Sequence, residues 1–212
     1  GVVYVGVGNE NDGAGVVEAH IAAQWNDDAH HCLDVLRTGE TDAYYADYAE
    51  RPGAKLLRAL TGGCVYQGEV SANLGHARGQ KSGHLPPSAF VTFLQNHDQV
   101  GNRALGERLN HLADPEKLDL ARAGLLLAPQ IPMLWMGEEW SASAPFLFFV
   151  DFAPDEELNT AVRDGRRREF KSFAAFADDT SKIPDPTEAE TFAASKLDWS
   201  ERERSPHREV LA

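Results

Sequence analysis

The chain has 212 residues, 42% of them hydrophobic and 25% charged, with a formal net charge of −13. That length is enough for one sizeable core and a small appendage. So acidic a balance argues against nucleic acid and anionic membrane as partners, since both need a basic face; a neutral sugar makes no such demand.

In chain order, Val2 to Val7 reads as a buried strand, already under way near Gly1. Asp28 to Thr38 has helical spacing in Leu33, Leu36 and Arg37. GETDAYYADY is a loop rich in tyrosine and acid. Arg51 to Leu60 follows as a short helix closed by Gly62-Gly63. CVYQGEV reads as a short strand or part of a long loop, and RGQKSGHLPPS as a loop. Phe90 to Leu94 predicts a strand, Gly101 and Asn102 a sharp turn, and Arg103 the start of a helix. Asp114-Pro115-Glu116 opens a further helix running to about Leu127, because a capping carboxylate, a proline and an acid suit a helix start. IPMLWMGEEW is a buried strand ending in Gly137, Glu138 and Glu139. Continuous apolar strands alternating with helices imply an α/β fold with a parallel sheet.

Beyond Trp140 the pattern changes. SASAPFLFFVDF is apolar and aromatic without clean periodicity. Glu156 to Phe176 is a charged helical stretch containing GRRREF. IPDPTEAETFAASKLDWS reads as an extended segment and a short helix capped by Thr187. With no core-forming pattern of its own, the region 141–205 is expected to be a long excursion on the strand-end side of the sheet. Ser205 as cap and Pro206 as first helical residue open a helix over 206–212, of which the chain holds about a turn and a half. Both ends therefore read as cuts in a longer protein. Cys32 and Cys64 stand in dissimilar contexts without metal-site spacing, which fits reduced thiols in a cytoplasmic chain. No signal peptide or bilayer-spanning apolar run is visible.

Candidate chemistry centres on FVTFLQNHDQVGNR. In parallel α/β folds functional groups gather at the carboxyl ends of strands, where Asn96, His97 and Asp98 stand. Asn, Asp and Gly also suit a plain turn. Four consecutive polar residues after a buried run are more than a turn requires, and a carboxylate beside an imidazole points to charge stabilisation or proton placement. A second polar cluster, QWNDDAHH, puts Asp27 and His31 on one helix face at i, i+4. No third ligand group follows at recognised spacing, so no metal is expected. Trp25 is either a sugar-stacking platform or a core tryptophan. Arg166 to Arg168 reads as a solvated helix face paired with neighbouring acids, not as a phosphate patch. Glu138 and Glu139 are catalytic candidates by position alone.

TFLQNHDQVGNRALGERL closely resembles the Asn-His-Asp region of the alpha-amylase clan of glycoside hydrolases, and more narrowly the malto-oligosyltrehalose trehalohydrolase family. AAQWNDDAHH, TGETDAYYADY, PMLWMGEEWSASAPFLFF, GRRREF and SKLDWS agree with that family. The resemblance implies a (β/α)8 TIM barrel, of which residues 1–140 are the second half, strands five to eight. It places 141–205 after the last barrel strand and 206–212 at the start of the last barrel helix. It implies cleavage of the α-1,4 bond next to the terminal trehalose of a malto-oligosyltrehalose, with no cofactor. Retaining hydrolysis of this kind needs two carboxyls about 5–5.5 Å apart. The clan adds a third, which grips sugar hydroxyls as positive charge develops; by motif match that is Asp98. His97 and Asn96 would contact the sugar, Gln99 and Asn102 would line its trehalose end, and Trp25, Asp28, His30 and His31 would belong to the groove wall. The clan nucleophile follows strand four, which precedes Gly1, so none is expected within this chain. The general acid is unassigned: GVGNENDG puts Val7 at its position, while Glu10 and Glu18 are out of register. Glu138 and Glu139 become structural or rim residues. The chain alone is expected to be inactive, leaving open a half-barrel with only carbohydrate-binding or structural capacity.

Overall fold

The computed structural model describes residues 5–6, 22–41, 45–171 and 179–211. The strands are β1 (Val5–Gly6), β2 (Ala23–Trp25), β3 (Phe90–Phe93) and β4 (Ile131–Met133). In chain order the helices are α1 (Asp27–Thr38), α2 (Ala46–Ala49), α3 (Pro52–Gly62), α4 (His97–Gly101), α5 (Leu109–Leu112), α6 (Pro115–Leu127), α7 (Glu156–Lys171), α8 (Ala189–Ala194) and α9 (His207–Leu211). The chain divides into two compact units, one of Gly1–Leu94 with Ala113–Leu134, the other of Gln95–Leu112 with Trp135–Ala212.

The first unit holds a parallel sheet in the order β1-β2-β3-β4. Val5 pairs with Ala23, Gln24 with Phe90, and Val91 with Ile131. Parallel neighbours need crossover connections, and helices supply them between β2 and β3 and between β3 and β4. Asn26 caps α1, its side chain accepting from Ala29 N, and Gly39 closes the helix at φ 76°. The apolar face of α1 packs Ala29, Cys32 and Val35 with Tyr48, Ala59, Val65 and Tyr66. Gly63 admits no other residue: a Cβ there would lie 2.5 Å from the Phe90 ring and 2.7 Å from Ser82 Oγ. Asp114 caps α6 as its motif predicts, accepting from Glu116 N at 3.0 Å and Lys117 N at 3.3 Å.

Several expectations change. Of Val2 to Val7, only β1 lies among the described residues. CVYQGEV is mostly loop, with Val70 in an isolated bridge to Ala77. β4 is not buried: Ile131 is 42% exposed, because β4 is the edge of the sheet as described. Pro132, which has no N–H to donate, suits such an edge. The helix expected to begin near Arg103 begins at His97, and Gly101 and Asn102 end it.

The second unit is built around α7 and a run of aromatic contacts, Trp135 to Phe146, Phe146 to Phe149 and Phe149 to Phe192, at 5.0, 5.8 and 5.1 Å between ring centres. α7 is described to Lys171; residues 172–178, including Phe176, lie outside the described residues. Thr187 does not cap α8, whose N-cap is Glu188. Its hydroxyl instead donates to Asp185 Oδ1 at 2.8 Å and accepts from Arg163. α9 starts at His207, just after Ser205-Pro206.

Candidate active site

The Asn-His-Asp stretch forms the first turn of α4. Asn96 is its N-cap, with extended backbone, and its Oδ1 accepts from Asp98 N at 2.8 Å and Gln99 N at 3.4 Å. Gln99 Oε1 returns the bond by accepting from Asn96 N at 3.0 Å. This reciprocal capping box satisfies donors that a helix start otherwise leaves open. It occupies the side chains of Asn96, which is buried, and of Gln99, half-buried. His97 and Asp98 turn outward instead, with side chains 51% and 63% exposed, and His97 Nε2 stands 3.3 Å from Asp98 Oδ1. The His97 ring lies 6.1 Å from that of Trp135. Asn102 is exposed and donates its backbone N–H to Asp98 O at 2.9 Å.

The segment after α4 is held by groups far away in sequence. Arg166, on α7, donates from Nη2 to Gly101 O at 2.8 Å and Arg103 O at 2.9 Å. Its guanidinium lies over the rings of Phe148 and Phe170, at 4.7 and 4.9 Å. Gly106, at φ 61°, lies against the backbone of Phe146, where a Cβ would sit 2.5 Å from the carbonyl oxygen. Arg108 is buried and donates to Ala144 O at 2.6 Å and Met136 O at 2.7 Å. Burial lowers the pKa of both arginines; they stay cationic and act as rigid donors to carbonyls. The arginine run is therefore not uniformly a solvated face: Arg167 and Arg168 are exposed, and Arg166 is buried. Glu138 is buried, its Oε2 accepting from Trp135 N at 3.1 Å, while Glu139 is exposed.

The second polar cluster belongs to the first unit, on the end of β2 and on α1. Asp28 is fully buried. Its Oδ2 accepts from Val65 N at 2.6 Å and Tyr66 N at 3.0 Å, and its Oδ1 accepts from Tyr48 OH and faces Arg78 at 3.6 Å. His30 donates Nδ1–H to Leu94 O at 2.8 Å and stacks on Phe93. Burial, helped by the Arg37 charge, pulls its pKa down to about 3. His31 is packed among His30, Tyr45 and Tyr48, and burial also holds it well below the ordinary histidine value. Asp28, His30 and His31, the residues expected on a groove wall, are buried and bound to neighbours in the first unit. Trp25 is half-exposed, its ring 5.4 Å from Phe93.

Among the described residues, no group of three or more His, Cys, Asp or Glu side chains could hold a metal ion. Val7, Glu10 and Glu18 lie outside the described residues. Cys32 and Cys64 are unpaired and buried, and burial pushes both thiols up to about 12. Among the described residues, no helix is long and apolar enough to cross a membrane.

Sequence reasoning placed Arg166 on a solvated helix face and did not single out Arg108. A signal existed for Arg166: Val162, Arg166 and Phe170 recur every four residues, so the inner stripe of α7 runs through it.

No family model matches the chain. It is 45% identical to a malto-oligosyltrehalose trehalohydrolase of Deinococcus radiodurans, over 91% of this chain and 32% of the relative. Relatives of the same name from Arthrobacter ramosus and Saccharolobus solfataricus are 43% and 39% identical, over 90% and 85% of this chain and 32% and 30% of theirs. Among solved structures, a protein from Salmonella typhimurium described as an alpha amylase superposes with a TM-score of 0.83 at 49% identity, over 91% of this chain and 32% of that one. The chain thus spans about a third of the length of the curated relatives it matches. Over nine-tenths of its length it is related to the malto-oligosyltrehalose trehalohydrolases, enzymes of the alpha-amylase type, and corresponds to one segment of such a chain.

Proposed function

We propose that the chain is part of the catalytic domain of a glycoside hydrolase that cleaves the α-1,4 bond next to the terminal trehalose of a malto-oligosyltrehalose, releasing trehalose. In this reading the parallel sheet and its helices are the second half of a (β/α)8 barrel, residues 1–140. Residues 141–205 are the excursion after the last strand, and 206–212 begin the last barrel helix. Strands in sequential parallel order, with helical crossovers, support it.

One observation carries the chemistry. Asp98 is an exposed carboxylate presented by a capping box of buried Asn96 and half-buried Gln99, immediately after a buried parallel strand, in a chain closely related to the trehalohydrolases. We assign it to stabilise the oxocarbenium-like transition state by accepting hydrogen bonds that tighten as charge develops. His97 contacts the same sugar, and Gln99 and Asn102 line the trehalose end. Trp25 supplies an apolar face on which a glucose ring packs. Asn96 acts indirectly, by fixing the turn that presents His97 and Asp98; Asp28, His30 and His31 remain assigned to the substrate-groove wall by the family resemblance. The nucleophile is assigned outside this chain and the general acid is left unassigned, its family position falling on Val7, where no proton can be donated; on this reading the chain by itself releases no trehalose. The unpaired, buried thiols fit a reducing compartment, and we assign the parent to the cytoplasm.

The likeness to a protein described as an alpha amylase favours a second reading, endo-cleavage of plain α-1,4-glucan. The full-length parent should be given malto-oligosyltrehalose and a maltooligosaccharide of equal length. Trehalose from the first, with at least tenfold lower kcat/KM on the second, is the expected result. Comparable cleavage of both, without trehalose, would establish the amylase reading instead.

A further inference from the structure

We propose that Arg166 is a positioning residue for Asp98, acting through the carbonyls of Gly101 and Arg103; the proposal rests on the reading of Asp98 given above. α4 has five residues, too few to hold a helical shape unaided. Its start is fixed by the Asn96–Gln99 box, and its far end has carbonyls without intrahelical partners. Arg166 Nη2 donates to Gly101 O, the last residue of that helix, at 2.8 Å and to Arg103 O just past it at 2.9 Å, from 65 and 63 residues away in sequence. Arg166 is only 7% exposed, and its guanidinium packs over Phe148 and Phe170, which fixes its plane. A buried cation spent on two carbonyls contributes little as an ion pair. What it sets is the path of the backbone from Asp98 to Arg103. Asp98 O lies on that path, accepting from Asn102 N at 2.9 Å. With one end of the turn held by the Asn96–Gln99 box and the other by buried Arg166, the Asp98 carboxylate projects from a fixed place. Preorganisation of this kind matters, since a misplacement of about 1 Å can cost on the order of 100-fold in rate. Lysine at this position would bring a charge but no planar fork to stack between two rings.

The test is a kinetic cycle in the full-length parent with Asp98→Asn, Arg166→Met, Arg166→Lys and the Asp98→Asn/Arg166→Met double variant. Arg166→Met should lower kcat roughly 10- to 100-fold with KM changed less than about threefold, and Arg166→Lys should recover part of the loss. In the Asp98→Asn background, Arg166→Met should change kcat less than about threefold, because the group it positions is gone. Equal losses in both backgrounds would overturn the proposal, showing general disruption instead. So would a normal kcat in Arg166→Met beside a crippled Asp98→Asn. If Arg166→Met fails to fold, the same cycle with Arg166→Lys decides by the same criterion. Normal kcat in Asp98→Asn itself would instead remove the reading on which the proposal stands.

Discussion

His30 and Asp98 are both polar residues that follow a buried strand, yet they answer to opposite demands. His30 is buried with Nδ1 on the Leu94 carbonyl, and its Nε2 has no hydrogen-bond partner. Charging it would place an uncompensated cation beside Arg37. Its pKa of about 3 in the fold lies below its ordinary 6.5. Between those values the unfolded chain takes up a proton that the folded chain refuses. The stability from neutral His30 is therefore fully present above about pH 6.5 and is lost as pH falls toward 3, at roughly 1.4 kcal/mol per pH unit. His31 is shifted in the same direction and adds to the slope. Urea unfolding between pH 4 and 7.5 should show stability rising with pH, and His30→Asn should remove about one proton from that dependence. An unchanged slope would mean that His30 is not held neutral. Asp98, by contrast, has an exposed side chain, and its proposed role lies in what it would meet in a bound sugar. Sequence alone could not separate the two cases, because imidazoles and carboxylates look alike there whether they serve a wall or a substrate.

At the scale of elements, helix starts were legible where a cap stood before an apolar or acidic turn, as at Asp114. α4 was not, because four polar residues in a row drew attention to chemistry and away from the Asn-x-x-Gln spacing that marks a capping box. The same four residues do both jobs: Asn96 and Gln99 build the turn, and His97 and Asp98 are presented by it. Asn96→Ala in the full-length parent should cost about 1–2 kcal/mol of stability and lower kcat as well, whereas Asn96→Asp, which keeps the acceptor, should restore most of both. Loss of neither in Asn96→Ala would contradict the capping role, with thermal unfolding and steady-state kinetics as the measurements. Arg166 was missed for a related reason. Charge runs are ordinarily solvated, and only the Val162–Arg166–Phe170 spacing showed which member of the run turns inward.

For the whole molecule, the alternation of apolar strands and helices was enough to predict a parallel sheet. Burial of β4 was not legible, because an edge strand and a central strand can share one apolar pattern. Leu120, Leu126 and Leu127 of α6 are 75%, 57% and 85% exposed, and Ile131 of β4 is 42% exposed. Exposed apolar surface with an unpaired strand edge favours association. Size-exclusion chromatography of the purified chain should show species larger than a monomer at micromolar concentration, and Leu120→Glu with Leu127→Lys should shift them toward the monomer. A wild-type chain that stays monomeric would contradict this.

On the proposed reading, Asp98 stabilises the transition state of trehalose release. The most direct test is steady-state trehalose production from malto-oligosyltrehalose by the full-length parent and its Asp98→Asn variant. Because Asp98 is assigned to charge that develops only in the transition state, kcat should fall by at least about 100-fold, with KM within a few-fold of wild type. A variant that folds normally and keeps near-normal kcat would show that Asp98 has no such role.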